Sequence, residues 1–404
     1  MDFSPNAALS IPCVVVHIFS YLPIRDLVKQ QRVCKLWKQC SEQILFERSQ
    51  FGKIEILTLI KIQQRYNSED EYEDWSSNTG DDFFKDDFMR WREKWRIIPS
   101  LLMCASYLPD SSALKLEKQW LPKNCIALVF ETAGTICIDG EKSQIEDDLD
   151  IVDVSTSHNL IALANDIQTN VLYLKTGGGK ESRDLFLSKF KTILTNEATK
   201  FVLVIASSRF ENLKTLENDI NSATEKGIVI LGCSSCESLL LLCPDEHVKT
   251  DIIAVSLEGS SIKAASTYIS ENDIGEELTV TKLYDCILSL KNVIDKFFES
   301  CPAHVNNLDE LGFCKLCHSQ TIGFIIMTPR SKQEWYEEYD ENPRPICFNQ
   351  EQDAFRAIFP NVPLFGSYGE GIIGGSINIP NAKNHSIFTD PEVFAMCFGV
   401  LVLS

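Results

Sequence analysis

The sequence predicts a mixed α+β protein in which a small helical unit precedes a larger α/β body whose mixed sheets are covered by helices. Apolar residues recur at helical spacing between Pro12 and Ile44. From about residue 111 onward, short apolar runs flanked by turn residues alternate with segments of helical periodicity. Hydrophobic residues make up 44% of the 404 residues, which is enough for a folded core in two or three domains.

The helical unit is predicted to span residues 8–50. Its first apolar stripe runs from Val14 to Leu22, and Leu22-Pro23 breaks that helix. Asp26 falls in the first turn of the next helix, and a second apolar stripe follows from Val33 to Ile44. About forty residues cannot bury so much apolar surface among themselves. The unit is therefore predicted to bury it against a partner.

This segment resembles the F-box, whose pattern matches here at Ile11-Pro12, Ile18-Phe19, Leu22-Pro23, Asp26-Leu27, Val33-Cys34 and Trp37. It departs from that pattern at Ile11, where the family has Leu, and at Val14, where an acidic residue is common. The resemblance implies binding to a Skp-type adaptor, which links F-box proteins to a cullin and its RING subunit in an SCF-type ubiquitin ligase. The alternative is a helical hairpin packed on the next domain. The residues expected to bind the adaptor are Pro12, Ile18, Phe19, Leu22, Pro23, Asp26, Leu27, Val33, Cys34 and Trp37, with Ile18, Leu22, Leu27 and Trp37 as anchors.

Residues 51–99 are predicted to be a linker that contains an acidic and aromatic segment. The acidic runs lie between Glu69 and Asp87, and aromatic residues are interleaved with them and follow them. One interpretation is a solvated acidic loop. The other is an exposed segment that engages a basic partner, with contact area from the aromatic residues and steering from the carboxylates. The aromatic residues are Trp75, Phe83, Phe84, Phe88, Trp91 and Trp95.

The body is predicted to alternate strands and helices. Strands buried on both faces are expected from short apolar runs at residues 126–130, 171–174, 201–205, 228–231, 252–255, 322–326 and 394–403. Surface helices are expected from charged and apolar periodicity at residues 111–119, 181–195, 211–225, 279–299 and 350–358.

The body also resembles a pair of FIST domains. Residues 116–134 are similar to the start of a FIST N-terminal domain, and residues 354–374 to the signature of a FIST C-terminal domain. The resemblance implies an N-terminal-like domain at 100–270 and a C-terminal-like domain at 271–404. It also implies a site for a small ligand. The chain departs from the family at Thr328-Pro-Arg330-Ser331, where a cysteine is usual, and at Glu370, where the acidic position is shifted.

A glycine-rich turn is the candidate ligand or substrate site of the body. Gly366, Gly369, Gly371 and Gly374 permit positive φ and close backbone approach, so backbone N–H groups there can face a small anion or a peptide end. The alternative is a tight connection between strands. The dinucleotide-type spacing of these glycines is accidental, because residues 376–380 continue as extended chain. The candidate residues are Thr132, Gly134, Gly366, Tyr368, Gly369, Glu370 and Gly371.

The cysteines are predicted to be reduced, mostly buried thiols, because fifteen of them are scattered through apolar segments of a chain without a secretory signal. Two pairs, Cys233/Cys236 and Cys314/Cys317 beside His318, have the local spacing of zinc ligands, and Cys301 and His304 lie near the second pair. The pairs are far apart in sequence, so the prediction is no metal and no other cofactor. Zinc binding is the alternative.

Charge and motif content limit the function further. The net charge of −19 disfavours nucleic acid as a partner, and the chain lacks an apolar run of twenty residues that would indicate a membrane span. The six histidines lie outside any catalytic pattern, which predicts a chain that is not an enzyme. The predicted function is a cytoplasmic or nuclear substrate receptor of an SCF-type ligase that directs target proteins to ubiquitination and proteasomal degradation. The alternatives are an intracellular small-ligand sensor or scaffold with a vestigial F-box and, third, a metal-dependent enzyme that uses the cysteine loops.

Overall fold

The structure is a computed structural model. It describes residues 9, 11–19, 22, 24–51, 54–64, 85–86, 88–92, 95, 97, 99–107, 120–132, 134–138, 152–164, 167–207, 217–235, 239–243, 247–270, 280–298, 301, 304–309, 312–314, 316–317, 319–328, 350–369, 371–375, 377 and 395–404.

The N-terminal helices form their own small unit, and the other helices belong to the body. The N-terminal helices are α1 (Pro12–Phe19), α2 (Ile24–Gln30) and α3 (Lys35–Phe51). The helices of the body are α4 (Lys180–Thr195), α5 (Glu217–Glu225), α6 (Val280–Phe297) and α7 (Gln350–Ile358). No helix in the described ranges is long and apolar enough to cross a membrane.

The strands begin soon after α3 and continue to the end of the sequence. They are β1 (Ile54–Gln64), β2 (Pro99–Tyr107), β3 (Ile126–Glu131), β4 (Gly134–Ile138), β5 (Val152–Ala164), β6 (Gln168–Lys175), β7 (Thr199–Ser207), β8 (Val229–Ser235), β9 (Leu239–Leu242), β10 (His247–Glu258), β11 (Ile262–Ser270), β12 (Phe313–Cys314), β13 (Ser319–Met327), β14 (Leu364–Tyr368), β15 (Ile372–Gly374) and β16 (Ala395–Leu403).

The described strands form two mixed sheets. The larger, ten-stranded sheet has the order β1-β5-β2-β3-β9-β10-β7-β8-β15, and β6 also pairs with β10. Its parallel pairs are β2 with β3 and β7 with β8. The six-stranded sheet has the order β11-β16-β13-β14-β4, and β12 pairs with β13. Its parallel pair is β13 with β14.

The main core lies between the two sheets, and helices cover their outer faces. Alternate residues along β2 show the arrangement, since Leu101 and Met103 join the core between the sheets whereas Leu102 and Cys104 face a separate aromatic cluster. Helices α4 and α5 cover β7, β8 and β10 of the larger sheet. Helices α6 and α7 cover the smaller sheet. Strands buried on both faces explain why their sequences are continuous apolar runs.

The mixed fold class is confirmed, and each predicted strand of the body falls on an observed strand. The predicted helices at 181–195, 279–299 and 350–358 also match α4, α6 and α7 closely. The helix predicted at 211–225 is described only from Glu217. The helix predicted at 111–119 lies outside the described residues.

The predicted linker at 51–99 requires a correction, because part of it is built into the body. Strand β1 pairs along its whole length with β5 in the larger sheet. Phe88, Trp91 and Trp95 are buried in the aromatic cluster, where they pack against one another and against Trp120. These aromatic residues therefore do not form an exposed surface for a basic partner. Trp75, Phe83, Phe84 and the acidic residues at 69–74, 81, 82 and 87 lie outside the described residues.

Strands from each predicted half of the body pair in the sheet of the other half. Strand β4, from the predicted 100–270 domain, pairs with β14 in the smaller sheet. Strand β15, from the predicted 271–404 domain, pairs with β8 in the larger sheet. Strand β11, which ends at residue 270, pairs with β16 in the smaller sheet. The boundary at 270 therefore does not separate one sheet from the other.

Candidate functional site

Helices α1 to α3 pack around a small core of their own. Its buried side chains come from all three helices at helical spacing: Val15, Phe19, Leu27, Cys40 and Ile44. The Phe19 and Trp37 rings meet edge to face with centroids 5.3 Å apart. The Trp37 indole N–H donates a hydrogen bond to the Leu9 carbonyl over 3.4 Å. These contacts fix how the three helices are arranged.

Large apolar side chains remain exposed on this helical unit. Their exposed fractions are 42% for Ile18, 42% for Val28 and 58% for Val33, and those of Leu9 and Ile11 are 37% and 38%. In the rest of the described chain, only Leu185, Tyr284, Leu288 and Leu316 are comparable. Five of the nine exposed large apolar side chains of the described residues therefore lie on this small unit. We call Leu9, Ile11, Ile18, Val28 and Val33 the apolar surface of the helical unit.

The structure divides the predicted adaptor-binding residues into two groups. Phe19 and Leu27 are buried, and Leu22 and Trp37 pack around them half-buried. Ile18 and Val33 are exposed, as are Pro12 and Cys34. Asp26 is half-buried, and its carboxylate accepts a hydrogen bond from Lys29 over 2.8 Å. Pro23 lies outside the described residues. The exposed group is the one placed to contact a partner, whereas the buried group holds the unit together.

The predicted glycine turn of the body connects the two sheets. Gly366 and Tyr368 lie in strand β14, and Gly369 follows directly. The Gly369 N–H donates to the Met327 carbonyl over 2.9 Å, and the Gly371 carbonyl accepts from the Ser234 N–H over 3.1 Å. Both groups are thus used in backbone pairing.

Close backbone approach, which we predicted for this turn, occurs at Gly369 and Gly374. Among the described glycines, positive φ occurs at Gly177, Gly227, Gly259 and Gly312. A Cβ atom on Gly369 would lie 2.4 Å from the Cβ of Cys233 on strand β8. A Cβ atom on Gly374 would lie 2.8 Å from the Cys397 sulfur.

The other candidate residues of the turn lie at the same end of β14. Gly134 and Tyr368 are register partners where β4 pairs with β14. Thr132 is buried, and both its N–H and its hydroxyl donate to the Ser106 carbonyl at the end of β2. Glu370 lies outside the described residues. Ligand binding at this turn therefore stays a prediction.

A group of cysteine and histidine side chains lies between helix α6 and strand β13. The ligand atoms of Cys301, His304, Cys314 and Cys317 all lie within 4.8 Å of one another. We call these residues the Cys/His cluster. Cys301 and Cys314 are buried and have their sulfurs 3.8 Å apart, and Cys317 is half-buried. The buried His304 ring stacks on Phe298 with ring centroids 3.8 Å apart.

Burial and hydrogen bonds set the protonation of the cluster. Burial lowers the pKa of His304 to about 4, against a smaller opposing effect of Asp295, so the imidazole is neutral at pH 7. Burial raises the pKa of the Cys301 thiol to about 12, and its contact with Cys314 adds to this. For Cys314, burial also acts upward, but N–H groups of Cys317 and Leu316 that face its sulfur bring the net pKa below the usual value.

All four residues of the cluster are visible in the sequence as candidate zinc ligands, but the prediction from the sequence is ordinary thiols without a metal. The spacing Cys301-x2-His304 followed by Cys314-x2-Cys317 was the available signal. For the other candidate pair, Cys233 is buried in the core between the sheets, and Cys236 lies outside the described residues. His318 lies outside them too.

Residues 12–50 match the F-box-like family. The helical unit is therefore an F-box-like domain. Most of the chain is similar to F-box only protein 22 of Homo sapiens, with 22% identity over 410 residues that cover 89% of this chain and 83% of the relative. The protein of the same name from Pongo abelii is 22% identical over 400 residues, with the same two coverages of 89% and 83%.

Among solved structures, the chain is similar to a cyanuric acid hydrolase from A. caulinodans at a TM-score of 0.32 and 7% identity, covering 85% of this chain and 99% of the hydrolase. A likeness that low carries no argument about fold or chemistry.

Proposed function

We propose that this chain is the substrate-receptor subunit of an SCF-type ubiquitin ligase. One observation carries the proposal: residues 12–50 match the F-box-like family, and this matched segment exposes the large apolar side chains of Ile18, Val28 and Val33. In this account, the apolar surface of the helical unit binds a Skp-type adaptor. The body then binds the target protein.

Burial of this surface supplies the binding free energy. Ile18 and Val33 are exposed in the isolated chain, so the adaptor gains contact with them without unfolding the core around Leu27. A well-packed anchor residue contributes about 2 kcal/mol or more at such an interface.

The connection to the body is short. Residues 52 and 53 alone separate helix α3 from strand β1, and β1 is the edge strand of the larger sheet, paired with β5. A target held by the body therefore stays within a restricted distance of the adaptor. Restricted distance raises the effective concentration of a target lysine at the ubiquitin-charged enzyme, which the cullin and RING subunit recruit. The chain itself contributes no catalytic group in this proposal.

Ubiquitination of the target, its degradation by the proteasome, and action in the cytoplasm or nucleus belong to the same proposal. The relatives named F-box only protein 22 support it through similarity over most of the chain. A small ligand bound by the glycine turn would regulate the body in this account, as the resemblance to FIST domains implies.

The test is assembly with purified components. The chain is co-expressed with a Skp-type adaptor and mixed with a cullin–RING pair, and the mass of the assembly is measured by light scattering after size exclusion. We expect one copy of each subunit. The double variant Ile18→Glu, Val33→Glu should stay outside the assembly because each change buries a carboxylate at an apolar contact.

The matched control is Leu185→Glu, which makes the same kind of change at a leucine of helix α4 that is 56% exposed. This variant should assemble like the unmodified chain. Failure of the unmodified, folded chain to bind the adaptor would overturn the proposal and favour a small-ligand sensor with a vestigial F-box.

A further inference from the structure

We propose that Cys301, His304, Cys314 and Cys317 bind one structural Zn²⁺ ion through three thiolates and one imidazole nitrogen. The ion would join the segment after helix α6, which carries Cys301 and His304, to the β12–β13 hairpin, which carries Cys314 and Cys317.

The distances between the side chains match a tetrahedral site. Two sulfurs bound to one zinc at about 2.3 Å lie about 3.8 Å apart, and the Cys301 and Cys314 sulfurs are 3.8 Å apart. A sulfur and an imidazole nitrogen on the same ion lie about 3.5 Å apart, and Nδ1 of His304 lies 3.2 Å from the Cys317 sulfur. The four ligand atoms therefore need only small shifts to bind one ion.

The groups around the ligands favour the metal-bound form. The Nε2 atom of His304 lies 2.9 Å from the Thr321 hydroxyl, so Nε2–H can donate to that oxygen and leave Nδ1 free to bind the ion. Such a hydrogen bond on the second nitrogen is nearly universal for histidine ligands of metals. The Ser319 hydroxyl lies 2.9 Å from the Cys317 sulfur and can donate to a thiolate. N–H groups of Leu316 and Cys317 face the Cys314 sulfur.

Two other chemistries fit the geometry less well. A disulfide between Cys301 and Cys314 would require their sulfurs to approach from 3.8 Å to about 2.05 Å, and it would leave His304 and Cys317 unexplained. A catalytic pair of Cys317 and His304 would require an imidazole open to substrate. The His304 ring is fully buried and is stacked on Phe298. A closed set of three sulfurs and one nitrogen is typical of structural zinc.

The site would strengthen a segment whose described residues form only short regular elements. Between α6 and β13, the described residues form a 3₁₀ turn at His304–Asn307, the two-residue strand β12, and a bridge from Leu308 to Cys314. Leu316, between two of the ligands, is 70% exposed. Zinc would hold this segment against helix α6 and the smaller sheet. This inference does not depend on the proposed ligase function.

The full-length chain is first purified without chelators, and its metal content is measured by inductively coupled plasma mass spectrometry. We expect one zinc per chain. X-ray absorption at the zinc edge should show about three sulfurs near 2.3 Å and one nitrogen near 2.0 Å. After zinc is removed with a chelator and replaced by Co²⁺, visible bands of tetrahedral cobalt and sulfur-to-cobalt charge transfer should appear.

The double variant Cys314→Ser, Cys317→Ser should lose the metal, whereas Cys13→Ser, at an exposed cysteine outside the cluster, should keep it. If the double variant does not fold, the absorption spectrum of the unmodified chain decides. A chain without zinc, a zinc bound only by nitrogen and oxygen, zinc retained in the double variant, or a Cys301–Cys314 disulfide in the freshly isolated chain would each overturn the proposal.

Discussion

Leu27 and Val28 are neighbours in helix α2 and have opposite environments. Leu27 is fully buried among the three helices, whereas Val28 is 42% exposed. We expect Leu27→Ala to destabilise the F-box-like domain by about 2–5 kcal/mol, because it removes apolar contacts and leaves a cavity. Val28→Ala should leave its stability nearly unchanged. Hydrogen exchange of residues 24–51 measures both, and equal protection in the two variants would contradict the assigned core.

Gly232 in strand β8 lies against the neighbouring strand so closely that no side chain fits. A Cβ atom there would lie 2.0 Å from the Val204 carbonyl oxygen. We expect Gly232→Ala to lower the free energy of unfolding by about 1–3 kcal/mol or more, because the backbone must shift. The control is Gly179→Ala at the start of helix α4, where nothing lies within 4 Å of the added atom. Thermal unfolding compares the two, and an unchanged Tm for Gly232→Ala would refute this packing.

Sequence alone could not separate contact residues from core residues in the F-box-like domain. Ile18 and Phe19 are both apolar and adjacent, and helical spacing marks a stripe without showing which edge of it faces a partner. The structure buries Phe19 and exposes Ile18. The same limit applies to the Cys/His cluster, because its two halves are brought together by tertiary contacts such as the bridge between Leu308 and Cys314.

At the scale of elements, the aromatic cluster covers the outer face of strands β2, β3 and β5. Phe88 lies at its centre, with its ring centroid 5.9 Å from that of Trp91 and 5.9 Å from that of Trp120. We expect Phe88→Ala to lower the free energy of unfolding by about 3–5 kcal/mol, because a fully buried ring is lost. Lys85→Ala, at an exposed position just before it, should cost much less. Denaturant unfolding followed by tryptophan fluorescence tests this, and a linker role predicts no difference between the variants.

The elements between 51 and 99 that belong to the body had sequence signals that the acidic composition obscured. Phe88, Trp91 and Trp95 are spaced like one face of a helix, but the acidic residues before them dominated the interpretation of the whole segment. Strand β1 contains several isoleucines in partial alternation with polar residues, which is the pattern of a strand with one buried face. Strands such as β7, β13 and β16 were easier to predict, because burial on both faces makes each of them a continuous apolar run. Strand β6 was predicted from a short apolar run too, but its residues are mostly exposed or half-buried.

At the scale of the whole molecule, the body is predicted to fold as one unit. Its core lies between the sheets, and strands β4 and β15 cross from one predicted half to the other. We expect a fragment of residues 100–270 to show no cooperative unfolding, because β4 would lack β14 and β8 would lack β15. Calorimetry of this fragment beside residues 51–404 tests this. A stable, cooperative 100–270 fragment would instead support two independent FIST-like domains.

The central claim is that the apolar surface of the helical unit binds a Skp-type adaptor. The most direct measurement is the dissociation constant between adaptor and full-length chain by titration calorimetry, for the unmodified chain, Val33→Glu and Leu185→Glu. The account predicts that Val33→Glu weakens binding about 30-fold or more, equivalent to about 2 kcal/mol, and that Leu185→Glu binds normally. Equal dissociation constants for all three folded chains would contradict it.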